Sequence, residues 1–85
     1  MSSLPAPMSL VTALQLGRLL KTARKERKLT QAFVAARLGL SQNRISYLEQ
    51  HADEISFKQL LAWCAVVGLE LRLGEREAPA PQTEW

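Results

Sequence analysis

The chain has 85 residues, 47% of them apolar, a formal net charge of +3 and a single cysteine. That length holds one compact domain, with little room for both a core and a deep enzyme cleft. Cys64 has no intramolecular partner, and no apolar run approaches the ~18–20 residues of a membrane span.

The charge is unevenly spread. Residues 10–74 carry ten Lys and Arg against five acids, whereas residues 75–85 carry three acids and one Arg. A basic body of this kind suits a polyanion, and an acidic tail suits some other partner. Met1 to Met8 lacks the basic start and apolar stretch of a secretory signal, so the expected compartment is the cytoplasm, which also suits a lone thiol.

In chain order, residues 1–9 read as a flexible arm, with two prolines and no periodicity. Thr12 and Gln15 form a candidate capping box for a first helix, in which Leu16, Leu19, Leu20 and Ala23 share one face. This helix should fray near Arg27 or Lys28. The cluster Arg24-Lys25-Glu26-Arg27-Lys28 reads as a solvated helix end that complements the helix dipole. Thr30 caps a second helix, Gln31 to Leu38, which buries Phe33 or Val34, then Ala35 and Leu38. Gly39 stands where a left-handed residue ends that helix. Leu40 follows as an apolar plug, and Ser41 caps a third helix, Gln42 to Gln50, with Ile45 and Leu48 turned inward.

His51 to Ile55 reads as a polar connection, and His51 has no Cys or acid at metal-ligand spacing. Ser56 then caps a fourth helix, Phe57 to Val67, whose inward residues are expected to be Phe57, Leu60, Leu61 and Cys64. Cys64 reads as a small buried hydrophobe. On that register Trp63 lies toward the helix flank, in a subunit interface or over the core edge. After Gly68, Leu69, Leu71 and Leu73 alternate with Glu70, Arg72 and Gly74, the period of a short strand. Such a strand cannot stand alone, because unpaired it exposes backbone donors and three leucines, so a homodimer is expected. Residues 75–85 carry no core signal and read as a flexible tail.

The span LTQAFVAARLGLSQNRISYLEQ therefore contains two short helices joined at Gly39. Two such helices cross steeply, so the second can enter a major groove of double-stranded DNA. Ala35 is small enough for a close crossing, while Leu40, Ile45 and Leu48 anchor the second helix. Gln42, Asn43, Arg44, Ser46 and Tyr47 are left as an outward hydrogen-bonding face.

With its TQ at a helix start, Ala four residues on, LG then Ser, and ISYLE, this span resembles the helix-turn-helix of the lambda-repressor-like (XRE) superfamily over about Leu14 to Gly68. The longer pattern is four or five helices, the strand LELRL and a polar tail ending in Glu84-Trp85. It looks like the HipB-type antitoxins, partners of HipA-like serine/threonine kinase toxins. The resemblance implies an all-α domain over residues 10–74 whose strand, residues 69–73, pairs across a dimer. It also implies a tail, with Glu84 and Trp85, that engages the kinase.

Carried over position by position, Gln31 looks like the family's phosphate-contacting Gln, with Thr30, Arg37, Ser41 and Lys58 as phosphate neighbours. Gln42 looks like the first base-reading residue, since Gln suits adenine N6 and N7. Asn43, Arg44, Ser46 and Tyr47 complete the reading face. The chain lacks a Gly-rich phosphate loop, a nucleophile with a base and a carboxylate pair in an apolar setting. Neither an enzyme, a metal site nor a cofactor is therefore expected. Two functions remain, an operator-binding antitoxin that represses its own operon, and a stand-alone phage-type or restriction-controller repressor.

Overall fold

In the computed structural model, residues 9–75 are described, and each helix within them starts on a hydroxyl side chain. Thr12 caps α1 (Ala13–Glu26), Thr30 caps α2 (Gln31–Leu38), Ser41 caps α3 (Gln42–Gln50) and Ser56 caps α4 (Phe57–Val67). Each hydroxyl accepts the N–H three residues on, an arrangement worth about 0.5–2 kcal/mol per helix. Thr12 with Gln15 and Ser56 with Gln59 are reciprocal capping boxes. The Gln15 amide reaches further and donates to the Ser9 carbonyl at 2.8 Å.

The ends of α1, α2 and α4 are closed alike. Leu29, Leu40 and Leu69 each send an N–H five residues back, to Arg24, Ala35 and Cys64, and each leucine packs against the core. The residue before each leucine is left-handed. Two are Gly39 (φ 71°) and Gly68 (φ 81°), but the third is Lys28 (φ 57°), where a side chain makes the conformation unfavourable by about 1–2 kcal/mol. The expected end of α1 near Arg27 or Lys28 is thus found, built without glycine.

Leu20 and Ala23 of α1, Val34 and Ala35 of α2, Ile45 and Leu48 of α3, and Trp63, Cys64 and Val67 of α4 form the core. Helix α3 packs on α1 and α2, and α4 packs on the same two helices. Of the two candidates on α2, Val34 is the buried one and Phe33 is exposed. The connection after α3 is a single 3-10 turn, Ala52–Glu54, that buries Ala52.

The fourth helix corrects the sequence reading. Phe57 and Leu61, expected inward, are 65% and 46% exposed, whereas Trp63 is completely buried. The inward stripe is Leu60, Trp63, Cys64 and Val67. This helix is apolar nearly all round, so periodicity alone does not select between two stripes at the same spacing. Burying the indole outweighs burying Phe57, because the larger ring removes more surface from water. Among the described residues the indole Nε1 has no hydrogen-bond partner, an expense of about 1–3 kcal/mol that the ring's burial offsets. Cys64 is buried as expected, and desolvation raises its thiol pKa, so it stays neutral.

Arg24 is a second correction. It is not a solvated helix end but is buried, its Nε 2.7 Å and its Nη2 3.1 Å from the two oxygens of Glu49, itself buried on α3. Nη1 donates to the Leu29 carbonyl at 3.0 Å, and the Gln31 amide donates to Glu49 at 3.2 Å. The rest of the cluster, Lys25 to Lys28, is exposed as expected. Beside this pair α1 and α3 nearly touch, and a Cβ added to Gly17 would collide with the Glu49 carbonyl oxygen.

Among the described residues there is no strand. Leu69 packs on the core, and Leu73, alone in a single chain, is 98% exposed.

Two outcomes follow for stability. Gly17→Ala gains about 1 kcal/mol of helix propensity, yet it should destabilise the protein by about 1–3 kcal/mol through overpacking, read as a lower urea midpoint. Either Arg24→Met or Glu49→Leu alone should cost about 3–5 kcal/mol by stranding a buried charge, while the double variant recovers most of that loss.

Candidate nucleic-acid interface

Between the last residue of α2 and the first of α3 lie only Gly39, Leu40 and Ser41. Gly39 reverses the backbone, Leu40 drops into the core, and Ser41 accepts the Arg44 N–H at 3.0 Å. Ile45, Leu48 and Glu49 face inward, the last into its ion pair. The remaining residues of α3 must therefore face out. Gln42, Asn43, Arg44, Tyr47 and Gln50 are exposed, and Ser46 is half-buried. Gln50, which the sequence reading left aside, extends the same face by one turn.

The phosphate candidates are not all gathered there. Thr30 and Ser41 cap the two helices, and each hydroxyl, after accepting a backbone N–H, keeps its own proton to donate. The first-turn N–H groups of α2 and α3 have no intrahelical partner, the usual setting for an anion. Gln31 is half-buried, and one amide hydrogen is committed to Glu49, which orients the second. Arg37 lies over the Phe33 ring, 5.0 Å from its centroid, and shares a groove with Arg27 and α4 rather than facing α3. Lys58 is exposed on the first turn of α4, which packs against α1 and α2.

At the far end of α3 a cluster appears that the sequence reading missed. Tyr47 donates its hydroxyl to Glu54 at 2.6 Å, stacks on His51 with centroids 4.1 Å apart, and lies under the Arg44 guanidinium at 5.3 Å. The His51 ring is held by the Tyr47 carbonyl through Nδ1 at 3.0 Å. Spacings of three and four residues carried the signal for Arg44 and His51, neighbours of Tyr47 on a helix surface. Glu54 is reached only because the 3-10 turn folds back. The arrangement fixes the tyrosine ring and carries a carboxylate beside an otherwise basic and neutral face.

Among the described residues, no group of three His, Cys, Asp or Glu side chains could hold a metal ion, and no helix is long and apolar enough to cross a membrane.

Comparison with known proteins finds a family and a shared fold. The family model described as Helix-turn-helix matches residues 20–73. Among solved structures, a complex of a HipB variant with an O2 20mer contains a similar chain. The two are 22% identical with a TM-score of 0.75, over 85% of this chain and 100% of the other, and the likeness is one of fold. No curated protein matches.

The hydrogen bond to Glu54 holds the Tyr47 pKa above the ordinary 10.0, with partial desolvation and the carboxylate's charge adding to it. A raised pKa means that the fold favours the protonated phenol. The contribution is present below the ordinary phenol pKa and is lost as pH rises through the raised value. Tyr47 is the single tyrosine, so phenolate absorbance reports it alone. Its titration should shift to lower pH in Glu54→Gln, and an unchanged midpoint would contradict the contact.

Proposed function

The chain belongs to the Helix-turn-helix family, the family of a DNA-binding regulator, and on that premise we propose that it is an operator-binding repressor that doubles as the antitoxin of a HipA-like kinase. The observation that carries the DNA reading is the outward face of α3. Gln42, Asn43, Arg44 and Tyr47 are exposed polar side chains on a helix whose opposite side is fixed by Ile45, Leu48 and Glu49. In this reading Gln42 and Asn43 meet adenine edges, Arg44 meets guanine or a phosphate, and Ser46 and Tyr47 lie one turn deeper. Thr30, Gln31, Ser41 and the helix N-termini grip phosphates on either side, with Arg37 and Lys58 adding charge further out.

Residues 69–73 supply the second half of the mechanism. Leu73 is bare and Leu71 half-buried in one chain. Pairing this segment with its copy satisfies the backbone and covers the leucines. Two recognition helices then stand about one DNA turn, ~34 Å, apart on a palindromic site. The fold shared with HipB in its O2 20mer complex supports the antitoxin reading. In it the tail, through Glu84 and Trp85, engages the kinase, although both residues lie outside the described ones.

On a DNA fragment from upstream of its own gene, binding should weaken steeply with salt. Gln42→Ala should cost about 1–3 kcal/mol and relax base preference at one position. Sequence-specific binding that survives Gln42→Ala and Arg44→Ala together would refute the assignment of the reading face. Kinase capture from the neighbouring gene should weaken when the chain ends at Gly74, and an adjoining phage or restriction gene in place of a kinase would favour the stand-alone repressor.

A further inference from the structure

Where the α1–α2 connection meets the outer side of α2 and the last turn of α4 there is an open groove of about 510 Å3, lined by Arg27, Leu29, Phe33, Arg37, Ala65 and Val66. Its lining is about evenly apolar, from Leu29, Phe33, Ala65 and Val66, and polar, with Arg27 and Arg37 as its two cations. The Arg37 guanidinium lies over Phe33, and the Arg27 guanidinium lies so close to Gly68 that a Cβ there would collide with it. Among the described residues neither guanidinium has a carboxylate within ion-pair distance. Two cations beside an apolar trough with an aromatic wall suit a segment that carries acids around an apolar or aromatic side chain.

We propose that this groove is the docking site of the chain's own acidic segment, residues 75–85, with the Trp85 indole against Phe33 and Val66 and the segment's carboxylates toward Arg27 and Arg37. Charge complementarity is the first reason. Glu75, Glu77 and Glu84 outnumber Arg76 in this segment, while the domain that holds the groove is basic. The second reason is connection. The chain leaves α4 at Gly68, directly against Arg27 on the groove rim. Ten further residues beyond Glu75 can extend ~30 Å, ample for a return.

Tethering also lowers the affinity required. A linked segment faces its site at an effective concentration on the order of millimolar, so even a millimolar intrinsic Kd leaves it docked about half of the time. Pro79 and Pro81 restrict the free segment, so it gives up less conformational freedom on binding. The docking requires neither DNA nor a kinase, and it would withhold Trp85 from any outside partner until displaced.

The full chain has two tryptophans, Trp63 and Trp85, and therefore two indole N–H signals in its NMR spectrum. The Trp85 indole should show nuclear Overhauser contacts to the Phe33 ring and the Val66 methyls. These contacts should vanish in Arg27→Glu with Arg37→Glu, while the buried Trp63 signal stays in place and certifies the fold. If the double variant loses the Trp63 signal, the single variant Arg37→Glu replaces it and should reduce the contacts at least twofold. A Trp85 indole without contacts to the domain overturns the proposal. So do contacts that persist in a mixture of labelled and unlabelled chains filtered for pairs between chains, since they would place another copy's tail in the groove.

Discussion

The bidentate pair between Arg24 and Glu49 is the constraint on which the rest of the domain depends. It ties α1 to α3, and through the Leu29 carbonyl and the Gln31 amide it also reaches the turn and the start of α2. Two charges this deep are not an efficient source of stability, because their desolvation consumes most of their attraction. Their value is in direction. A greasy contact allows a helix to roll, whereas a guanidinium fork against a carboxylate allows one rotation of α3 about its axis. Gly17 allows the backbones to come close enough for that geometry. The outward face of α3 is thereby fixed from beneath.

On the proposed reading of α3 as the helix that meets base edges, such fixing matters, because hydrogen bonding requires the right rotation of the face. Side chains on a helix that rocks by even part of a turn meet the wrong base, and the freedom lost on binding would have to be supplied by the contacts themselves. The same economy appears at the far end of α3. Glu54 and His51 hold the Tyr47 ring from two sides, and Arg44 rests above it. In the proposed DNA complex a carboxylate there would oppose indiscriminate attraction to phosphate, so the face would depend less on charge and more on shape and hydrogen bonding. Gln31 likewise gives one amide hydrogen to Glu49 and keeps a second.

Phe57, Leu61 and Leu73 are all exposed, and the groove beside Arg27 and Arg37 is open. Contiguous surfaces of this kind mark places where something else packs. The proposed second copy along residues 69–73 and the proposed acidic segment in the groove would be different occupants for different surfaces.

Local chemistry in the sequence determined where the helices begin and end. Thr12, Thr30, Ser41 and Ser56 are short hydroxyl side chains that satisfy backbone N–H groups within three residues, and Gly39 needs only its own conformation to turn the chain, so none of these waits for the fold. The spacing of Ile45 and Leu48 made the polar face of α3 legible for the same reason. Which stripe of α4 turns inward was decided only in three dimensions, because Phe57, Leu60, Leu61 and Cys64 have the same spacing as Leu60, Trp63, Cys64 and Val67, and the choice depends on what α1 and α2 present. The pairing of Arg24 with Glu49 spans 25 positions, the contact of Tyr47 with Glu54 needs the 3-10 turn, and the close approach at Gly17 needs α3 already in place. Each is a relation between elements, set by packing at close range.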